Sequence, residues 1–335
     1  MKPKKQLTEN LAYNYIICGG RDYYTFGYRD VYETDFSKYF EEQYDGVSGL
    51  LGRSIVNVCF SHKVNQYIHT PFSSFVYPRI FKHSFSNNKP RCYIFFWRHR
   101  IIFESTFMDY LKENYPGVKF VLFFQDILRK YKDLDLDMLK RRFDIIITYD
   151  EGDAKSYDLF YHPTPMSMVD VPDNPNIQES DIYFCGYAKN RYDIVLDVYR
   201  KCIALGLKCD FNVMKVPNDA EYEVGIKYWN RLFSYTENIQ HILKTKCVLE
   251  VMQQGAIGFT PRLWESIVYG KHLLTNNLKV HSSEYFYPEG NHMLESVDDG
   301  SIVELISHDI SYPESLKNSL SPVHLLTFID HIIKK

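Results

Sequence analysis

The sequence runs VLEVMQQGAIGFTPRLWESIVYGKHLLTNN from Val248 to Asn277. Its apolar residues predict a strand over 247–251, after which glycines mark a loop. A Thr-Pro pair is typical of a helix start, so a helix is expected over 261–269. A second strand is expected over 272–275. Strand, helix and strand in this order are typical of an α/β domain with a parallel sheet.

The polar residues of the same stretch indicate a binding site for an anion. Gly255 and Gly258 precede a helix N-terminus capped by Thr260, where free N–H groups and the helix dipole attract phosphate. Arg262 lies in the first turn, where a cation opposes the dipole, and this favours a bound diphosphate. Glu265 can accept two hydrogen bonds from the hydroxyls of a ribose. Alternatively, the glycines only form a turn, and Arg262 and Glu265 are a solvent-exposed helical pair.

Strand and helix patterns alternate over the rest of the chain, as in α/β proteins. In the first half the patterns predict strands over 13–18, 92–97, 119–124 and 144–148, and helices over 104–114 and 134–142. In the second half they predict strands over 181–185 and 208–213, and helices over 191–205 and 237–244. Residues 162–179 contain four prolines and no apolar period, which predicts a linker. We therefore expect domains at 1–170 and 171–320, and a C-terminal segment, 321–335, whose helix over 322–333 could pack on the first domain.

Composition narrows the class of protein. A chain of 335 residues is long enough for two domains with separate cores. It has no run of about 18 apolar residues and no signal-peptide core, so we expect a cytoplasmic protein. The seven cysteines are odd in number and lack the spacing of a zinc or redox motif, which predicts reduced thiols in the core. A net charge of −3 without a basic stripe argues against a nucleic-acid partner.

A second candidate segment lies between Asp181 and Tyr192. It predicts a strand that ends at Gly186, followed by Lys189 and Arg191 at the start of a helix. Basic residues after the carboxyl end of a parallel strand are well placed to bind phosphate groups. The two cations could also be ordinary solvent-exposed residues.

Here the sequence resembles a known family. The motif Gln-x-Gly-x-x-Gly-x-Thr-x-Arg-x-x-Glu, followed by Gly-Lys and a Leu-Thr-Asn strand, resembles the donor domain of GT-B glycosyltransferases, especially the bacterial lipopolysaccharide-core and capsule type. The resemblance covers about 181–295 and is faint in the first domain. It implies an α/β GT-B fold with two Rossmann-like domains facing each other across a cleft. It also implies transfer of a sugar, of hexosyl class, from a nucleoside-diphosphate sugar to a growing surface glycan or a lipid-linked acceptor.

The resemblance implies a donor site with no metal and no further cofactor. Its expected members share positions near strand ends and helix starts: Gly186, Lys189, Arg191, Tyr235, Gln254, Gly255, Gly258, Phe259, Thr260, Arg262 and Glu265. Glu265 would bind the ribose, and residues 255–262 would hold the diphosphate. Lys189 and Arg262 would act in catalysis by stabilising the leaving diphosphate. Tyr235 begins a Tyr-x-Glu element and lies either against the base or in the core.

The acceptor side is less clearly marked. If the enzyme inverts, a carboxylate or histidine of the first domain should be the general base. Asp22 is the candidate chosen, and His62, Asp126 and Asp150 are others, although Asp150 is expected to cap a helix. Retaining relatives carry a second acid eight positions before the ribose carboxylate.

Ile257 occupies the position of that second acid, and Glu250 either substitutes for it or is structural. The stereochemical outcome therefore stays open. Two other functions remain as alternatives: a GT-B-like sugar-nucleotide epimerase and a non-catalytic nucleotide-binding protein. Peripheral contact with the inner face of the membrane is left open as well.

Overall fold

The computed structural model describes residues 11–18, 27–32, 37–40, 54, 58, 77, 85–96, 105–131, 134–216, 221–252 and 258–334. The chain divides into two compact units. Unit 1 comprises Met1–Pro165 together with Ser321–Lys335, and unit 2 comprises Met166–Leu320. In the described part of the chain, each unit is built around one parallel sheet of six strands.

Unit 1 has the sheet order β2-β1-β3-β4-β5-β6, with every neighbouring pair parallel. Its strands are β1 (Asn14–Cys18), β2 (Ser37–Phe40), β3 (Arg91–Phe96), β4 (Lys119–Phe124), β5 (Ile145–Thr148) and β6 (Phe160–Tyr161). The central strands are almost entirely apolar, as expected for a sheet covered on both faces. The described helices of this unit are α1 (Arg29–Tyr32), α2 (Ser105–Asn114), α3 (Leu136–Arg142), α4 (Glu151–Tyr157) and the C-terminal α12 (Pro322–Ile333).

Helix α12 packs on one face of the unit 1 sheet. Leu325, Leu326 and Ile329 of this helix share a buried cluster with Ile17 of β1 and Ile94 of β3. The start of β1 is tied to the same helix because the Ala12 N–H donates to Asp330 Oδ1 at 2.7 Å. The last helix of the chain therefore completes the core of unit 1.

Unit 2 has the sheet order β12-β11-β10-β7-β8-β9, again parallel throughout. Its strands are β7 (Ser180–Tyr187), β8 (Cys209–Met214), β9 (Lys227–Trp229), β10 (Thr245–Glu250), β11 (His272–Thr275) and β12 (Asn291–Met293). Its described helices are α5 (Tyr192–Ala204), α6 (Tyr235–Leu243), α7 (Pro261–Tyr269), α8 (Leu278–His281), α9 (Glu295–Asp298), α10 (Ile302–Leu305) and α11 (Glu314–Leu320).

The strand order of unit 2 reverses between β7 and β10. From β7 the chain adds β8 and β9 on one side of the sheet, and then β10, β11 and β12 on the other. This is the doubly wound Rossmann order, in which ligands bind outside the carboxyl ends of the strands at the reversal. The fold therefore marks the ends of β7 and β10 as the place to look for a site.

Most predicted elements are confirmed, and several with their bounds. Helices α7 and α12 and strands β4 and β11 occupy the predicted residues. One prediction was wrong in detail: β7 does not end at Gly186 but continues to Tyr187, because both residues pair with β8. The short strands β2, β6, β9 and β12 were not predicted.

The predicted linker and the predicted thiols can also be compared with the structure. Residues 162–179 contain no helix or strand, as expected, but 162–167 are buried rather than exposed. The six described cysteines are all free thiols, and the prediction of core thiols is confirmed for the five that are buried, whereas Cys209 is only partly buried. None of the helices in the described ranges is long and apolar enough to cross a membrane.

Candidate functional site

The candidate site lies where the Rossmann sheet of unit 2 reverses. Gly186 and Tyr187 end β7, and Glu250 ends the neighbouring strand β10. Helix α7 begins at Pro261, after the loop that follows β10. The pairing of β7 with β10 therefore places side by side the two segments that the sequence analysis identified as candidate phosphate-binding sites.

Two arginines converge over Gly186. A Cβ atom added at Gly186 would lie 2.8 Å from Arg191 Nη2 and 2.9 Å from Arg262 Nη2. Arg191 donates through Nε to the Tyr187 carbonyl at 3.1 Å and through Nη1 to the Val251 carbonyl. Arg262 donates through Nη2 to the Cys185 carbonyl. A side chain at position 186 would displace at least one of the two guanidinium groups, because they occupy the space in which its Cβ would lie.

The two guanidinium groups form a site of concentrated positive charge. Arg191 is only 7% exposed, and burial together with the charge of Arg262 lowers its pKa to about 10. Both groups also lie 5.6 Å from the centroid of the Phe184 ring. Among the residues that the structure describes, neither arginine forms an ion pair with a carboxylate. An anion placed here would relieve the repulsion between two like charges.

Glu250 has a structural role, which bears on one of the questions that the sequence left open. It is fully buried, and its two carboxylate oxygens accept hydrogen bonds from the Thr260 hydroxyl and, at 2.5 Å, from the Thr275 hydroxyl. Burial raises its pKa, whereas the two hydroxyls and the charges of Arg262 and Arg191 lower it. Both oxygens hold parts of the fold together, which favours the structural alternative for Glu250. It ties the start of α7 to β11.

The start of α7 has the predicted capping geometry. The Thr260 hydroxyl accepts a hydrogen bond from the Arg262 N–H at 3.2 Å, and Pro261 is the first helical residue. Just before the cap, the Gly258 carbonyl accepts a hydrogen bond from Asn277 Nδ2 at 3.0 Å. Phe259 is buried and packs its ring against Trp264 at 5.4 Å between centroids. Phe259 therefore anchors the helix start rather than offering its ring to a ligand.

Glu265 projects from the second turn of α7 and is 4% exposed. Asn238 Nδ2 donates to Glu265 Oε1 at 2.9 Å. Burial raises the pKa of Glu265, while the charge of Arg262 and hydrogen bonds from Tyr235 and Asn238 lower it. Its hydrogen bond to Glu265 places the Tyr235 hydroxyl beside the carboxylate and not in an apolar core, although the same hydroxyl is also within 3.0 Å of Met166 Sδ.

Lys189 and Lys215 lie at the ends of two adjacent strands, β7 and β8. Both are exposed, and both have left-handed backbones, with φ of 46° and 51°. Their Nζ atoms lie 5.6 Å and 4.6 Å from the centroid of the Tyr187 ring. Left-handed backbone is unfavourable for residues other than glycine and often marks functional positions. Lys189 lies two residues before Arg191, and Lys215 is a second exposed cation near the Tyr187 ring that the sequence patterns did not identify.

Several predicted site residues cannot be placed. Gln254, Gly255 and Ile257 of the donor side, and Asp22 and His62 of the acceptor side, lie outside the described residues.

The two described acceptor-side candidates have local roles. Asp150 caps α4 by accepting from the Asp153 N–H at 2.9 Å. Asp126 accepts hydrogen bonds from Lys130, at 2.7 Å, and from the Ile127 N–H. Burial opposes ionisation of Asp126, but these bonds prevail and hold its pKa below its usual value. A carboxylate with a lowered pKa is a poor general base.

Asn238 is a neighbour of Glu265 that the sequence patterns did not identify. Glu237 of the Tyr-x-Glu element forms a capping box with Ser234 and pairs with Arg231. The neighbouring Asn238 contacts Glu265 instead.

Within the described part of the chain, no group of three or more His, Cys, Asp or Glu side chains is arranged to hold a metal ion.

No protein-family model and no curated protein sequence matches this chain. Solved structures do match. An alpha-glucosyltransferase in complex with UDP and a 13-mer DNA containing a central A:G mismatch has a TM-score of 0.54 at 12% identity, covering 88% of this chain and 90% of that one. The alpha-glucosyltransferase with UDP and a 13-mer DNA containing a HMU base has a TM-score of 0.52 at 10% identity, with 94% of each chain covered. The chain has the GT-B fold.

This likeness confirms the predicted fold class, an α/β GT-B protein with two Rossmann-like domains. At 10% to 12% identity it concerns the fold alone. The alpha-glucosyltransferase solved with UDP alone agrees, with a TM-score of 0.50 at 11% identity over 94% of this chain and 95% of that one. The chemistry of this chain must therefore be argued from its own residues.

Proposed function

We propose that this protein is a glycosyltransferase that takes its sugar from a nucleoside-diphosphate sugar. The observation that carries the proposal is the convergence of Arg191 and Arg262 on Gly186, at the reversal of a Rossmann sheet. Breaking the bond between sugar and diphosphate adds negative charge to the leaving group. Fixed cations aimed at that charge lower the barrier without a metal ion.

The parts of the donor have natural places in this arrangement. Arg191, Arg262 and the N-terminus of α7 hold the diphosphate, and Lys189 stabilises its growing charge. Glu265 accepts hydrogen bonds from the ribose hydroxyls. Neighbouring folds were solved with UDP, which makes UDP-sugars the first donors to try. No metal ion or other cofactor enters this scheme.

For the acceptor we propose a growing surface glycan of the lipopolysaccharide or capsule kind, free or lipid-linked, and a hexose as the sugar transferred. This finer assignment rests on the resemblance of the motif from Gln253 to Glu265. The alpha-glucosyltransferases of similar fold are bound to DNA, so DNA belongs in the acceptor panel. The net charge of −3 favours the glycan over DNA. We place the reaction in the cytoplasm, with peripheral membrane contact as a further possibility to test with acceptor-bearing vesicles.

The test starts with a thermal-shift screen of the purified protein against UDP-, GDP-, ADP- and CMP-sugars, because a ligand of the native state raises its stability. Release of the nucleotide is then measured with glycan acceptors, with DNA and with no acceptor. Transfer to a glycan is the expected result. Interconversion of free sugar nucleotides would indicate an epimerase, and binding without turnover would indicate a non-catalytic protein.

Three variants test the site. Arg262→Ala and Lys189→Ala should each lower kcat, by roughly a hundredfold for the partly buried arginine, which is typical for the loss of one charge-stabilising donor. Glu265→Ala should mainly weaken donor binding. Arg200→Ala is the matched control, since Arg200 is an exposed arginine of α5 that pairs with Glu223. Full activity in all three site variants would overturn the assignment.

A further inference from the structure

Two partly buried hydrogen bonds form a relay that leads to the carboxylate of Glu265. The Tyr183 hydroxyl donates to Asn238 Oδ1 at 3.0 Å, and Asn238 Nδ2 donates to Glu265 Oε1 at 2.9 Å. The three residues come from β7, α6 and α7, so the relay depends on the packing of three elements. Because Tyr183 donates to the amide oxygen, the amide nitrogen must face Glu265.

Tyr183 is held in place by its surroundings. Its side chain is 2% exposed, and its ring stacks on His241 with centroids 5.3 Å apart and an angle of 10°. His241 is itself fixed by a hydrogen bond from Nδ1 to Asp210 Oδ2, and Asp210 also pairs with Lys227 at 3.1 Å. The donor end of the relay is therefore rigid, and Asn238 has one favourable orientation.

The relay determines what Glu265 can bind. A donated hydrogen bond favours the ionised carboxylate, which can only accept hydrogen bonds. A ribose offers two adjacent hydroxyl donors to such a group, whereas a 2′-deoxyribose offers one. When a deoxynucleotide covers the nearly buried carboxylate of Glu265, one hydrogen-bond acceptor position of the carboxylate is removed from water without receiving a hydroxyl donor in return. A site built around a buried polar group discriminates strongly against an analogue that lacks the matching hydroxyl.

We infer that Asn238, oriented by Tyr183, is a positioning residue that makes the donor site selective for ribonucleotides over 2′-deoxyribonucleotides. This inference rests on the proposed function, because it assumes that Glu265 faces the sugar of a nucleotide. It goes further by naming the class of donor, since sugars carried on a deoxynucleoside diphosphate would be poor substrates.

The experiment compares the binding of UDP with that of 2′-deoxy-UDP by calorimetry, with the GDP, ADP and CDP pairs measured alongside. The wild-type protein should bind the best ribonucleotide at least roughly tenfold more tightly than its deoxy counterpart, as expected for a hydrogen bond to a charged group. Tyr183→Phe removes only the hydroxyl that fixes the amide, and Asn238→Leu removes the amide donor while leaving the hydrogen bond from Tyr235 to Glu265 in place. In both variants the ribo-to-deoxy ratio should fall by roughly threefold or more.

Tyr199→Phe is the matched control, because it also removes a tyrosine hydroxyl of unit 2, one that donates to the Val224 carbonyl at 3.0 Å. Its ribo-to-deoxy ratio should equal that of the wild type. Equal binding of UDP and 2′-deoxy-UDP by the wild type, or an unchanged ratio in a folded Tyr183→Phe variant, would overturn the inference while leaving the proposed function intact. Failure of every ribonucleotide and deoxyribonucleotide to bind would instead overturn the proposed function, and the inference with it.

Discussion

Gly186→Ala tests the arginine pair most directly. The added Cβ would lie 2.8 Å from Arg191 Nη2 and 2.9 Å from Arg262 Nη2, which is closer than a carbon and a nitrogen normally approach. At least one guanidinium group must move, and both are bonded to backbone carbonyls. Steric overpacking costs about 1–3 kcal/mol. A displaced guanidinium also loses a charge-assisted bond to the diphosphate, so we expect binding of the best nucleoside diphosphate to weaken by roughly tenfold to a hundredfold.

The assay is titration calorimetry, with thermal unfolding of the free protein to show that the variant is folded. A double-mutant cycle with Arg262→Ala identifies the cause, because residues in contact give non-additive effects. If Gly186→Ala acts by displacing the guanidinium of Arg262, its effect on affinity should shrink once that side chain is gone. Wild-type affinity in Gly186→Ala, or the same loss of affinity in the wild-type, Arg262→Ala and Arg191→Ala backgrounds, would refute the reasoning.

Three further results are expected. Thr260→Val removes both the cap of α7 and a donor to buried Glu250, so it should destabilise the protein by about 2–3 kcal/mol in urea unfolding, and Thr260→Ser should restore stability. Burial lowers the pKa of His162 to about 4, below its value of 6.5 in the unfolded chain. The free energy of unfolding should therefore fall by about 2 kcal/mol as the pH drops from 7 to 5, and this fall should be smaller in His162→Gln. EDTA should leave nucleotide release unchanged, because Arg191 and Arg262 supply the positive charge that a metal would; a rate lost with EDTA and restored by Mg²⁺ would contradict this.

Local signals explain why some elements were predicted with their bounds. Helix α7 begins at the Thr260-Pro261 pair and ends at Gly270, whose φ of 63° is the left-handed conformation that glycine adopts readily. Helix α12 begins in the same way, with Ser321 as the cap and Pro322 as the first residue. These signals act within a few residues of the chain, so a sequence pattern is sufficient to identify them.

Features that depend on pairing between distant segments were not accessible in this way. Strand β7 continues through Gly186 because Gly186 and Tyr187 pair with Val213 and Met214 of β8. Glycine is a poor strand residue in general, so propensity placed the end of the strand too early. The three-residue strands β9 and β12 exist only as extensions of a sheet, and their sequences are too short to carry a period.

The candidate site shows the same limit in its chemistry. The sequence marked Arg191 and Arg262 separately as phosphate-binding residues, but their contact over one glycine follows from β10 lying beside β7 in the reversed strand order. Asn238 was missed for a comparable reason. It follows Glu237 by one residue, and successive residues are rotated by about 100° around a helix. Glu237 therefore takes part in the helix cap, whereas Asn238 faces Glu265. The residue types near strand ends are therefore enough to locate a candidate site. The neighbours that set the electrostatic environment of each charged residue can be identified only when the strand order is known.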